Sequence, residues 1–351
     1  MRLVPKHRRA GALAAMLLLG ALVTPPARAQ SAPGWWRALY RGSAGGQTVV
    51  LDLTLAGQKA SGRLLLPARH EVLDASGSAA ADGSVTLTLT PPTGRGTASP
   101  PAASGSLVGR RSMAPNDDGS RLSGRLQLPG GTVTVALTRI AQDVRVDVLE
   151  GAIHARASYP RFLDPALAPL NAELGPPARA GLDTFVREGE HARAANALFH
   201  AWELIADTRL EGLAGVYASL ETTRYRYTGG AHGNQEIETA TWWLDPSGPR
   251  RLSLSDLFAP GADYVARLAP LVLAGLRAQD ATWVVQGQVT SLTAHDLALY
   301  ALTPAGMTFT FPPYAMGPYV QGTFTVVVPY ARVIDLAAKN GALEAFAKAG
   351  G

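Results

Sequence analysis

The run Tyr225-Arg226-Tyr227-Thr228-Gly229-Gly230-Ala231-His232-Gly233-Asn234 puts an imidazole, an amide, two tyrosines and three glycines into one short stretch. An imidazole can donate, accept or carry a proton near neutral pH. Glycine permits φ > 0 and lets a ligand or another backbone approach closely. Two chemistries suit the run. One is proton transfer at His232. The other is recognition by Tyr227, Thr228, His232 and Asn234 around the backbone of Gly229 and Gly230. A plain tight hairpin, in which His232 and Asn234 satisfy backbone groups, is the alternative. A second candidate is Phe311-Pro312-Pro313-Tyr314-Ala315-Met316-Gly317-Pro318-Tyr319. Tyr314, Met316 and Tyr319 beside prolines form a stiff amphipathic surface of the kind interfaces favour, unless the loop packs back onto a sheet. Trp35-Trp36 could stack on a sugar face or plug the end of a β domain. Trp242-Trp243 must place one indole on each face of a strand.

Other chemistry finds little support. The sequence has no HExxH, G-x-S-x-G, P-loop or dinucleotide fingerprint. His154, His191, His200, His232 and His295 are scattered without metal-ligand spacing. Asn116-Asp117-Asp118-Gly119 lacks the later Glu of a calcium loop and reads as a solvated turn. Nothing in the spacing supports a triad of Ser219, His232 and Asp256. No metal and no cofactor is expected.

The hairpin needs strands on both sides, and Val216–Leu220 and Thr239–Leu244 supply them. From Gly34 to about Ile140 the chain is strand-like. Short β-branched runs such as Thr48–Leu55, Ser84–Leu89 and Thr132–Leu137 alternate between turn residues. Ser61-Gly62-Arg63-Leu64, Ser104-Gly105-Ser106-Leu107 and Ser123-Gly124-Arg125-Leu126 form a weak repeat that fits a meander curling into a small barrel. Thr93–Ser120 reads as a long mobile loop. Further on, a strand over 151–159 stops at Pro160, and helical patterns over 165–188 break at Pro176-Pro177. Strands over 202–213 and 215–227 follow. A short helix capped by Ser255-Asp256 comes next, then an amphipathic helix over 264–278. A hairpin spans 298–311, a strand 323–328, and a C-terminal helix 331–347. The expected fold is an α+β C-terminal domain, a mixed sheet with helices, preceded by a small all-β meander or barrel-like domain. The boundaries fall at 30–141 and 142–351.

Residues 1–29 read as a signal peptide: Arg2, Lys6, Arg8 and Arg9 precede the apolar run Ala10–Val23, and Ala27-Arg28-Ala29 suits cleavage after Ala29. No Cys follows the apolar run, so no lipoprotein anchor is expected. The formal charge of +5 rests on five basic residues in this segment, and without them it is zero. A nucleic-acid partner is not expected on that balance. An exported chain without cysteine must hold together by its core. Secretion or periplasmic location, with no membrane anchor after cleavage, is the expectation.

Four landmarks occur in order: Tyr227–Gly233, Leu252-Ser253-Leu254-Ser255-Asp256-Leu257-Phe258, Phe309–Pro318 and Val326-Val327-Val328-Pro329-Tyr330. On these, residues from about 144 onward resemble the C-terminal domain family of the lysozyme-sensing anti-sigma factor RsiV, a domain also found beside peptidoglycan deacetylases of the PdaC type. In RsiV this domain is a receptor that occupies the lysozyme cleft, so the resemblance implies a binding module rather than a catalyst. Two features of those proteins do not carry over: a transmembrane helix with a sigma-binding segment, and a deacetylase domain. The resemblance therefore implies an exported binding protein of the cell envelope with a lysozyme-like or peptidoglycan-related partner. An accessory protein of glycan hydrolysis or deacetylation with a catalytic His232, and a structural protein docked on the wall, are the other two classes.

Overall fold

The computed structural model of the chain describes residues 35–92, 103–113, 119–197 and 200–349. The expected signal peptide and its cleavage site, and Asn116-Asp117-Asp118, lie outside the described residues. Eight strands come first: β1 (Trp35–Ala44), β2 (Gln47–Ala56), β3 (Lys59–Leu66), β4 (Glu71–Ala79), β5 (Ser84–Thr90), β6 (Gly105–Arg111), β7 (Arg121–Leu128) and β8 (Gly131–Glu150). Each pairs antiparallel with the next, and β1 pairs with β8, so the meander closes into a barrel. Alternation supplies the filling: Tyr40, Leu51, Leu53, Leu64, Leu87, Leu107, Leu122 and Leu126 point inward. The repeated Ser-Gly marks the tight places of this small barrel. A Cβ on Gly62 would lie 1.8 Å from the Asp52 carbonyl oxygen, and one on Gly124 would lie 2.2 Å from that of Val108. Part of the stretch expected to be a mobile loop is instead β6, because Leu107 faces the barrel core.

β8 does not end where the barrel does. Its first half closes against β1 and β7, and its second half pairs with β9 (Ile153–Phe162) over Ala141–Glu150. The sheet then runs on through β10 (Trp202–Ala214), β11 (Tyr217–Tyr227), β12 (Asn234–Asp245) and β13 (Gly248–Leu252). β9 and β10 are parallel and the other neighbours antiparallel, so the sheet is mixed. The parallel step needs a crossover, which is α1 (Leu170–Ala194). It packs Leu182 and Phe185 on Ile153, Ala155 and Ala157. The outward faces of β1–β3 are apolar too: Leu39, Val50 and Leu65 join Ile140, Phe162, Leu170, Leu220 and Trp242 in a core between the barrel and the sheet.

The rest of the chain builds a helix-bearing lobe around a small antiparallel sheet. Its elements are α2 (Tyr264–Arg277), α3 (Thr282–Val285), β14 (Tyr300–Thr303), β15 (Gly306–Phe311), β16 (Phe324–Val328) and α4 (Ala342–Lys348). Phe309, Phe311, Phe324, Tyr330 and Phe346 fill its core. Ser219 ties this lobe to the large sheet: its Oγ accepts from the Leu302 N–H at 2.9 Å and bonds Thr241 at 3.0 Å. Trp242 and Trp243 divide between two cores, one on each side of β12. The molecule is thus an all-β barrel followed by a domain with helices and a small sheet, β-rich throughout. Among the described residues no helix is long and apolar enough to cross a membrane.

Four local expectations are corrected. α1 runs unbroken through Pro176 and Pro177. The carbonyls their rings deprive of partners belong to Ala172 and Glu173, which are exposed and can be solvated. β9 continues past Pro160 to Phe162, because the register with β10 ends at Ser158 and leaves Pro160 paired on one side only. The short turn at Leu254–Leu257 is 3₁₀, and its cap is Ser253, whose N–H and hydroxyl both donate to the Asp256 carboxylate at 2.8 Å. In place of a helix over 331–347 the chain makes 3₁₀ turns at Tyr330–Arg332 and Ile334–Leu336 before α4. Backbone there is taken instead by the Ala338 N–H donating to the Leu257 carbonyl, and Asn340 turns left-handed at φ 57°.

Candidate functional site

β11 and β12 form a hairpin whose last paired residues are Arg226 and Asn234. The intervening turn uses left-handed glycines, with φ 108° at Gly229 and 94° at Gly230, and the Tyr227 hydroxyl donates to the Gly230 carbonyl at 3.1 Å. Tyr227 thus braces its own loop, while Thr228, Gly230, His232 and Asn234 are exposed. Gly233 is buried, and a Cβ there would lie 2.4 Å from the Tyr225 ring. Its lack of a side chain lets the hairpin fold down on Tyr225.

The loop between β15 and β16 comes to meet this turn. Tyr319 stacks on His232 with ring centroids 3.8 Å apart and planes 16° from parallel, and its hydroxyl donates to the Gly233 carbonyl at 3.0 Å. Tyr314 lies 5.5 Å from Tyr319, centroid to centroid, and its hydroxyl stands 3.5 Å from His232 Nε2, the outer limit of a hydrogen bond. His232 Nδ1 lies 3.0 Å from the Gly233 carbonyl, which can only accept, so the proton sits on Nδ1 and Nε2 faces Tyr314. Tyr314 is 53% exposed and adopts φ 69°, a left-handed backbone that a bulky residue rarely takes. The neighbouring Val320 is 89% exposed.

Tyr314, Tyr319 and His232, which come from two separate candidate stretches of the sequence, lie together in the structure. Met316 does not belong with them. It is 5% exposed and packs in the core of the C-terminal lobe, because the turn after Pro312-Pro313 points it inward. Ser219 and Asp256 do not approach His232 as a triad would require: the first is buried between the two sheets, and the second caps its own turn. Among the described residues no cluster of His, Asp or Glu is arranged to hold a metal ion.

A second constellation escaped the sequence reading. Arg37 donates two hydrogen bonds to Asp52, at 2.9 and 2.8 Å, and one to Asp207 at 2.9 Å; Asp143 lies 3.5 Å from the same guanidinium. Arg63 grips Glu211 at 2.9 and 2.6 Å. These pairs bridge barrel and sheet. One guanidinium cannot neutralise three carboxylates, of which the Asp52 and Asp143 side chains are buried and Asp207 is partly exposed. Asp207 keeps its charge: burial opposes ionisation, but Arg37, Arg209 and Ser158 outweigh it and hold its pKa low. Asp143 has one carboxylate oxygen without a partner, and burial pushes its pKa up to about 8 against the pull of Arg37, with Asp207 and Asp52 adding to the rise. The available signal was Asp52, a carboxylate inside the apolar run of β2.

Comparison with known proteins gives a partial match. Residues 255–331 match a family model described as a protein of unknown function, DUF3298. No curated protein matches the chain. The solved structures similar to this chain include two of that family. One is a DUF3298 family protein from Pseudomonas aeruginosa PAO1, with 19% identity, a TM-score of 0.42, and 56% of this chain and 94% of that one covered. The other is a member of the same family from Bacteroides fragilis NCTC 9343, with 19% identity, a TM-score of 0.38, and 59% and 98% covered. The matched segment includes Tyr314 and Tyr319 but begins after the His232 hairpin, so what the chain carries is a DUF3298 domain at residues 255–331.

Proposed function

We propose that this chain is an exported, non-enzymatic binding protein of the cell envelope whose C-terminal domain docks a lysozyme-like enzyme or a peptidoglycan-related ligand on the His232–Tyr314–Tyr319 surface. One observation carries the reading: Tyr319 is locked flat on His232 while its neighbour Tyr314 projects from a strained backbone with half its surface open. Preorganised aromatic side chains of this kind dominate protein interfaces, because they bring large area at small entropic cost. Backbone strain kept at an exposed residue also points to use. The resemblance to the RsiV receptor domain supports the class of partner. His232 serves here as the platform of the surface rather than as a base, since one ring nitrogen is held by its own backbone and the other faces a tyrosine.

The test is a muramidase assay with purified protein. Inhibition or association at micromolar concentration is expected, and Tyr319→Ala should weaken it by about tenfold or more, as loss of a central aromatic anchor does. The lysozyme part of the proposal fails if neither inhibition nor association appears. In that case retention on isolated wall, lost in the same variant, decides for the peptidoglycan-related ligand.

A further inference from the structure

A cavity of about 720 Å³ opens between the barrel strands β1–β4 and the sheet strands β8–β10. Its size falls within the roughly 300–1,000 Å³ of small-molecule sites. Five arginines line it against three aspartates. Four of the arginines are engaged: Arg37 with Asp52 and Asp207, Arg63 with Glu211, Arg145 with Asp147, and Arg209 with Asp207. The fifth, Arg156, forms no ion pair among the described residues. It sits on β9 between Asp147 and Ile205 of the neighbouring strands, on the face that looks into the cavity. Asp74, Thr54 and Ser61 line the opposite wall and have no side-chain partner among the described residues. Trp35 closes one side. Arg145 lies 5.5 Å over its ring, and the indole stays partly exposed.

The engaged pairs make the cavity rigid, and the free groups define what it would take. A lone guanidinium calls for a planar anion. An uncommitted carboxylate beside two hydroxyls calls for several donors; a sulfate has none, a phosphate near neutral pH has at most one or two, and a polyol has one on every hydroxyl. An indole wall suits the C–H face of a ring. We infer that this cavity binds an acidic sugar unit, a hydroxyl-rich ring bearing one carboxylate. Arg156 takes the carboxylate, Asp74, Thr54 and Ser61 take the hydroxyls, and Trp35 packs against the ring.

The experiment is a calorimetric titration of the purified chain with two matched pairs: N-acetylmuramic acid against N-acetylglucosamine, and glucuronate against glucose. Each pair differs by its acidic group. The acidic member of at least one pair should bind about tenfold or more tightly than its neutral partner, the scale of one charge-assisted contact. The pair that shows the preference tells a wall-type lactyl sugar from a uronic acid. Arg156→Gln should erase the preference while leaving the weaker neutral binding, and Trp35→Ala should weaken both members. Equal affinities within both pairs, no binding of any of the four sugars, or a preference that survives Arg156→Gln would overturn the inference. None of these residues belongs to the His232–Tyr319 surface, so this result stands or falls apart from muramidase docking.

Discussion

Tyr314 combines exposure, a left-handed backbone and a place beside the His232–Tyr319 stack, which separates its contribution to folding from the binding role proposed for it. A non-glycine residue in that conformation costs about 1 kcal/mol. Tyr314→Gly should therefore keep or slightly raise stability in urea unfolding while it weakens partner binding; a large stability loss would show that the ring is a packing element. Asp143 offers the opposite case, a residue with a folding role and no surface. Its pKa is raised in the folded state from the ordinary 3.8 to about 8. The folded protein holds this proton where the unfolded chain has released it, so the group's stability contribution is full below about pH 4 and is lost as pH rises toward 8, by at most about 1.4 kcal/mol per pH unit. Asp143→Asn should flatten that fall and make the protein more stable near pH 8. Unfolding curves at several pH values test the sign.

Individual elements obey local rules until packing overrides them. The barrel strands were legible because alternation and turn residues repeat, and the Ser-Gly repeats mark where one strand presses on the next. Gly62→Val should push β2 and β3 apart and cost about 1–3 kcal/mol, the range of an overpacked core; near-neutral unfolding data would show that the barrel relaxes there. Pro176-Pro177 and Pro160 misled because a proline signals only its own missing N–H and its ring. Whether that breaks an element depends on whether the orphaned carbonyl meets water or whether a second strand needed the bond, and both answers lie in the three-dimensional surroundings. The C-terminal 331–347 segment misled for a related reason: its apolar spacing suits a helix, but its backbone is claimed by contacts with Leu257 and by the turn at Asn340.

At the scale of the molecule, the expected boundary at 141/142 falls inside one continuous strand, β8, whose halves serve the barrel and the sheet. Leu39, Val50 and Leu65 on the barrel's outer face are buried against the second region, and Arg37 and Arg63 reach across to Asp207 and Glu211. Parts joined by a shared strand, an apolar core and buried ion pairs should not melt apart. Heating should give one calorimetric transition, with Arg37→Met lowering its midpoint sharply, because it leaves buried carboxylates uncompensated at about 3–5 kcal/mol. Two resolved transitions would instead show that the barrel folds alone.

Residue types and periods alone settled the barrel strands, the glycine turn before Asn234 and the amphipathic α2, because those depend on backbone sterics and on nearest neighbours in the chain. The tertiary structure alone decided that Met316 turns inward while Tyr314 turns out, that β8 belongs to two bodies, and that Arg37 serves three carboxylates from distant strands. Burial and charge compensation are properties of groups brought together across the fold, and no spacing along the chain encodes which groups those are.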